Sequence, residues 1–223
     1  MNRSSDSLLL ALDILLTLAA VTLIAVYVPT EEQMGVVQRI FYIHVPLAWV
    51  GFLAFFVVFV TSILYLWKRN EKWDFWAYSS AEIGILFTTA VLLTGPIWAK
   101  PAWGVWWTWD MRLTTTLVLW LIYAAYLSVR SFAAEEGRSA RFAAVIGIIG
   151  FTDVPIVAMA IALSRTQHPQ YIIFEGGLTF SMMLTLLVSI AAFTVLYIIL
   201  LRLRASLRSM SDEVIKLRQG LED

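Results

Sequence analysis

Six long apolar runs, parted by short polar or charged stretches, organise this chain: residues 8–28, 41–67, 77–97, 113–129, 142–163 and 178–201. Each approaches the roughly 20 apolar residues that cross the hydrocarbon of a bilayer. No water there can pair an exposed backbone amide or carbonyl, so each run is predicted to be a helix. The fold class expected is all-α, a polytopic membrane helix bundle of six transmembrane helices. The first run is too long for the core of a signal peptide, and Val28-Pro29-Thr30-Glu31 makes a poor cleavage site, so a retained helix is expected. Residues 1–201 then form one transmembrane domain. Residues 202–223 set Leu203, Leu207, Val214 and Leu217 among charges. That pattern suits an amphipathic tail on the cytoplasmic surface, and equally a stop-transfer flank. No internal repeat or low-complexity stretch is present.

The basic residues orient the bundle. Twelve of the sixteen Lys and Arg fall on one side of the six runs: Arg3, Lys68, Arg69, Lys72, Arg130, Arg138, Arg141, Arg202, Arg204, Arg208, Lys216 and Arg218. Arg39, Lys100, Arg112 and Arg165 fall on the other. Positive residues concentrate on the cytoplasmic side, so both termini are expected there, and the loops after the first, third and fifth helices are external.

Composition agrees. The chain is 60% hydrophobic and 14% charged, with a mean hydropathy of +0.79, whereas a soluble domain carries about a quarter charged residues. A net charge of zero gives no basic footprint for nucleic acid. With no cysteine, disulfides, thiolate metal sites, iron–sulfur ligation and the Cys-x-x-Cys-His attachment of c-type heme are all excluded. Any metal chemistry falls to His44, His168, Met or carboxylates.

The expected external face holds the unusual residues. Five of the ten tryptophans (Trp98, Trp103, Trp106, Trp107 and Trp109) crowd the loop expected at 98–114. Interfacial tryptophan anchors membrane proteins, but five within a dozen residues, interrupted by Gly104, exceed that need. The other reading is an aromatic shelf for a large, flat, apolar ligand, approached closely by backbone at the glycine. The only two histidines flank it: His44 in Phe41-Tyr42-Ile43-His44-Val45-Pro46 and His168 in Gln167-His168-Pro169. Neutral imidazole is a common axial ligand of heme iron. The pair either grips one porphyrin from both faces or serves two separate structural ends. Heme propionates would draw on Arg39, Lys100, Arg112 or Arg165. Asp110 and Arg112 are expected to pair and brace the loop where the fourth helix begins. Asp13, Glu82 and Asp153 lie within apolar runs and should face protein rather than lipid. Asp153 precedes Val154-Pro155, where the proline frees a backbone carbonyl. Helix–helix hydrogen bonding or a proton relay are its two readings.

The stretch Trp103-Gly-Val-Trp-Trp-Thr-Trp-Asp110-Met-Arg-Leu-Thr114, with His44 before one helix and His168 after another, resembles the WWD signature of heme-handling proteins in cytochrome c biogenesis. Length and helix layout resemble the CcmC family of the system I maturation pathway over nearly the whole chain. The resemblance implies a protein of the bacterial cytoplasmic (inner) membrane whose site faces the periplasm. It implies non-covalent heme b held between His44 and His168 as axial ligands, docked on Trp103, Trp106, Trp107, Trp109 and Asp110. Arg39, Arg112 and Arg165 are the cations expected around it. It further implies hand-over to a CcmE-like heme chaperone, assembly with CcmA-, CcmB- and CcmD-like subunits, and no catalytic turnover in this chain, ATP hydrolysis belonging to a partner.

Three other classes compete. A cytochrome c synthase, the larger relative that attaches heme, would carry extra helices and a large external domain. A b-type redox subunit places its histidines within the bundle on facing helices. A small-solute transporter would show broken-helix pairs or an inverted repeat, and neither is visible.

Overall fold

In the computed structural model the described residues are 3–32, 34–132, 136–163 and 177–222. They are almost entirely helical: α1 (Arg3–Thr22), α2 (Phe41–Lys68), α3 (Glu71–Trp103), α4 (Met111–Phe132), α5 (Glu136–Phe151), α6 (Asp153–Leu163) and α7 (Phe180–Glu222). Six of the resulting segments are long and apolar enough to cross a membrane, α5 and α6 together making the fifth. The all-α membrane bundle expected from hydropathy is therefore present, and the chain is a multi-pass membrane protein.

Two boundaries differ from the sequence reading, each for a local reason. The fifth run is not one helix. Pro155 has no N–H for the carbonyl four residues back, and the Thr152 N–H turns instead to the Ile149 carbonyl at 3.0 Å. The chain so divides into α5 and α6. The tryptophan loop is also shorter than expected, because α3 runs on through Pro96 and Pro101 to Trp103. Trp98 and Trp103 are thus helical, and only 104–110 form the loop.

The segment from 202 onward continues α7 without a break. At 43 residues this helix is about 64 Å long at 1.5 Å per residue, against a hydrocarbon thickness of about 30 Å. Ion pairs clamp its second half to the bundle: Arg202 to Asp6, Arg204 to Glu82 through two hydrogen bonds of 2.6 and 2.7 Å, and Lys216 to Glu71. Glu82 thereby finds its partner on a neighbouring helix. Asp153 is buried, and Asp13 is half-buried on α1, the helix that packs against α7.

Helices in lipid gain nothing from burying apolar surface against one another, so close packing and interhelical hydrogen bonds must hold them. Both are visible at the α2–α3 seam. A Cβ on Gly84 would lie 2.6 Å from Phe55 Cε1, so α3 approaches α2 to a distance only glycine permits. One turn away, the Ser80 hydroxyl donates to the Ala54 carbonyl at 2.7 Å and meets the Tyr197 hydroxyl of α7 at 2.8 Å. Phe55 stacks on Tyr123 of α4 with centroids 3.8 Å apart. The Tyr123 hydroxyl donates to the Gly147 carbonyl of α5 at 3.1 Å. At the tryptophan-rich end, Val28, Phe41, Tyr42, Trp98, Met182 and Leu186 form a separate cluster. It gathers the ends of α2, α3 and α7 around the base of the site.

Candidate ligand-binding cleft

The cleft lies between α2, α3 and α4 at that same end. It is open at its mouth, with His44, Trp98, Trp103, Trp106, Trp107 and Arg112 on its walls. Local chemistry puts each there. Pro46 sits in the second turn of α2, where its missing N–H costs the Tyr42 carbonyl its helical partner, and the Tyr42 side-chain hydroxyl separately accepts from Gln38 Nε2 at 3.0 Å. His44 therefore falls in the first turns of α2, facing α3, and is 8% exposed.

The far end of α3 presents Thr94, Gly95 and Trp98 to that imidazole. His44 Nδ1 lies 2.8 Å from Thr94 Oγ1. Its ring meets Trp98 edge-on, centroids 5.9 Å apart at 65°. A Cβ on Gly95 would come within 3.4 Å of His44 Cε1. Thr94 and Trp98 thus hold two sides of the ring, and Gly95 leaves space on another.

The loop is shaped by its two helix ends. Gly104 takes φ +78°, a left-handed backbone that side chains avoid, and its N–H closes α3 on the Lys100 carbonyl at 2.9 Å. Lys100 Nζ folds back to the Gly104 carbonyl at 3.0 Å, so this cation braces the helix end. Asp110 then opens α4. Its Oδ1 accepts the Leu113 N–H at 3.0 Å and its Oδ2 accepts the Thr108 hydroxyl at 3.0 Å, the geometry of an N-cap. Asp110 thus braces the start of α4 through the Leu113 N–H and the Thr108 hydroxyl.

Between these caps the tryptophans part. Trp103 and Trp107 are half-buried, while Trp106 is exposed yet still lines the cleft. Trp109 is 75% exposed, packs edge-on against Trp107 at 5.6 Å, and is not among the lining residues. The indole N–H groups of Trp98 and Trp107 are buried without a hydrogen-bond partner among the described residues, which leaves two donors for a polar group entering the cleft.

Of the predicted site residues, then, His44, Trp103, Trp106, Trp107, Asp110 and Arg112 come together. Arg39 does not line the cleft: its Nη1 donates to the Ala25 carbonyl at 3.1 Å, tying the turn Val36–Ile40 to the end of the first span. His168 and Arg165 lie outside the described residues. Sequence reasoning counted Trp98 in the aromatic shelf but missed Gly95 on the cleft wall and Thr94 against His44. The signal was there in the spacing, since Trp98 follows Thr94 by one helical turn, but the third run was ended at residue 97. Among the described residues no cluster of three or more His, Cys, Asp or Glu could hold a metal ion.

Fold and cleft together define a multi-pass helical membrane protein with an aromatic, histidine-containing recess at one end of its bundle. The family described as heme exporter protein C, CcmC, matches residues 2–219, and the chain belongs to that family. It is 35% identical over 193 residues to the heme exporter protein C of Bradyrhizobium diazoefficiens, covering 85% of this chain and 72% of that one. A cytochrome c biosynthesis ccmC-like mitochondrial protein of Marchantia polymorpha is 33% identical over 180 residues, 80% of this chain and 76% of the relative. The heme exporter protein C of Escherichia coli K12 is 31% identical over 142 residues, 64% and 58% of the two chains.

Proposed function

We propose that this protein binds heme at the outer face of the cytoplasmic membrane and delivers it for the maturation of c-type cytochromes. The observation that carries the reading is the buried His44 on the wall of an aromatic cleft, in a chain of the heme exporter protein C family. The cleft has the chemistry heme needs. Trp103, Trp106 and Trp107 offer apolar faces to a porphyrin. Arg112, with the unpaired indole N–H groups of Trp98 and Trp107, offers donors to propionates.

In this reading His44 supplies one axial ligand and His168 the other, to non-covalent heme b. Arg112 is the propionate partner from the cleft wall, Arg165 a second from the loop that carries His168, and Arg39 acts by steadying the approach to α2. Trp109 and Trp106, exposed at the rim, form the docking face for a CcmE-like chaperone. The site faces the periplasm, both termini are cytoplasmic, and the chain works as a non-catalytic delivery subunit beside CcmA-, CcmB- and CcmD-like partners. The reading also makes 1–201 the heme-handling unit and the rest of α7 its cytoplasmic extension.

The test is an optical spectrum of the purified protein beside His44→Ala and His168→Ala. Wild type should show a six-coordinate bis-His heme, and each single variant should lose most of it. Equal heme content in all three would overturn the ligand assignment.

A further inference from the structure

His44 Nδ1 and Thr94 Oγ1 lie 2.8 Å apart, and the direction of the hydrogen bond between them decides which ring nitrogen carries the lone pair of the neutral imidazole. The Thr94 hydroxyl has a single hydrogen. Its oxygen lies 2.8 Å from the Ala90 carbonyl and 3.3 Å from that of Val91, and carbonyls only accept. A hydrogen directed back along α3 satisfies that bond and turns the lone pairs of the oxygen outward to His44. With Thr94 as the acceptor, Nδ1 bears the ring hydrogen and the lone pair of the neutral imidazole is on Nε2.

We propose that Thr94 is a positioning residue for His44: by accepting the Nδ1–H it sets the tautomer and ring angle that present the Nε2 lone pair to heme iron carried in the cleft. The inference deepens the proposed function and rests on its assignment of His44 as a ligand. Packing supports the same role. Rotating the ring by half a turn would exchange Nδ1 with a carbon and lose the bond. A Cβ at Gly95 would sit at ordinary contact distance, 3.4 Å, from His44 Cε1, and the Trp98 edge closes another side of the ring. A histidine whose second nitrogen donates to a fixed acceptor is a more basic ligand and loses less freedom on binding. Thr94 is well placed to be that fixed acceptor, because its own hydroxyl is tied to the helix it belongs to.

The first readout needs no heme. In full-length, heme-free protein labelled with ¹⁵N-histidine, with His44 assigned by removal of the second histidine in His168→Ala, the wild type should show Nδ1 protonated and Nε2 unprotonated. Thr94→Val keeps the shape and removes the acceptor, and should shift His44 toward mixed tautomers. Thr94→Ser should restore the wild-type pattern. Thr89→Val removes another α3 hydroxyl, one that accepts from Trp120 Nε1 at 2.8 Å, and should leave the His44 signals unchanged. The second readout is heme retention against excess apomyoglobin, where Thr94→Val should weaken binding about ten- to a hundredfold, as loss of such a supporting hydrogen bond does elsewhere, and Thr94→Ser should not. An unprotonated Nδ1 in the wild type, or His44 signals unaltered in Thr94→Val, overturns the proposal whether or not heme binds. Heme retention unaltered in Thr94→Val overturns the positioning role. Heme content unaltered in His44→Ala sinks the ligand assignment itself, a different failure on a different variant.

Discussion

Replacing Asp74 with alanine leaves the Arg130 guanidinium without its carboxylate in a place that water scarcely reaches. Asp74 lies in the first turn of α3 and Arg130 in the last turns of α4. They meet through two parallel hydrogen bonds, Nη1 to Oδ1 at 2.9 Å and Nη2 to Oδ2 at 2.6 Å. Their side chains are 9% and 7% exposed, so solvent cannot rehydrate the survivor. Arg130 also lies over the Tyr78 ring, 5.5 Å from its centroid, which offsets little of the loss. Breaking such a pair costs about 3–5 kcal/mol, most of it the unpaired buried charge. Replacing both partners by apolar groups of similar size removes the charge problem altogether, and the result should be close to neutral. The double variant Asp74→Leu/Arg130→Met is therefore expected to be more stable than either Asp74→Leu or Arg130→Met alone. The measurement is unfolding by sodium dodecyl sulfate in mixed micelles, followed by tryptophan fluorescence, as a double-mutant cycle. A cost below about 1 kcal/mol for Asp74→Ala, or a double variant as poor as the summed singles, would refute the argument. The pair matters to the site because α3 and α4 run antiparallel from here to the cleft, whose walls they form.

Two further outcomes follow from the geometry. Asp110→Ala removes the N-cap of α4 and should cost about 1 kcal/mol while Asp110→Asn costs less; increased quenching of loop tryptophan fluorescence in the alanine variant alone checks it. Gly84→Ala forces a methyl to within 2.6 Å of Phe55, which is fully buried and stacked on Tyr123 and so has nowhere to go. It should destabilise by about 1–3 kcal/mol despite the better helix propensity of alanine, and thermal unfolding in detergent at or above the wild-type midpoint would contradict that.

The six spans were legible because a bilayer imposes a length and demands helix, so apolar runs translate almost directly into structure. Charge bias placed His44 and the tryptophans at a common end for the same reason. Helix ends were less legible. Pro96 and Pro101 look like breakers, yet α3 carries both to Gly104, because packing of Trp98 among Phe41, Tyr42 and Met182 outweighs two lost backbone bonds. Pro155, at the first turn of α6, does divide its run. One residue type has two results, and only the neighbours tell them apart.

The site divides along the same line. Sequence alone determined a membrane bundle, an aromatic-rich turn between its third and fourth spans, and two histidines with few cations near it, since these are properties of composition and order along the chain. Tertiary structure decided that Arg112 faces the cleft while Arg39 holds a backbone carbonyl, that Trp107 turns inward while Trp109 faces outward, and that Thr94 meets His44 fifty residues away. Those are questions of direction. A side chain's direction depends on the rotation of its helix against neighbours, which close contacts such as Gly84 on Phe55 set and which no apolar run by itself records.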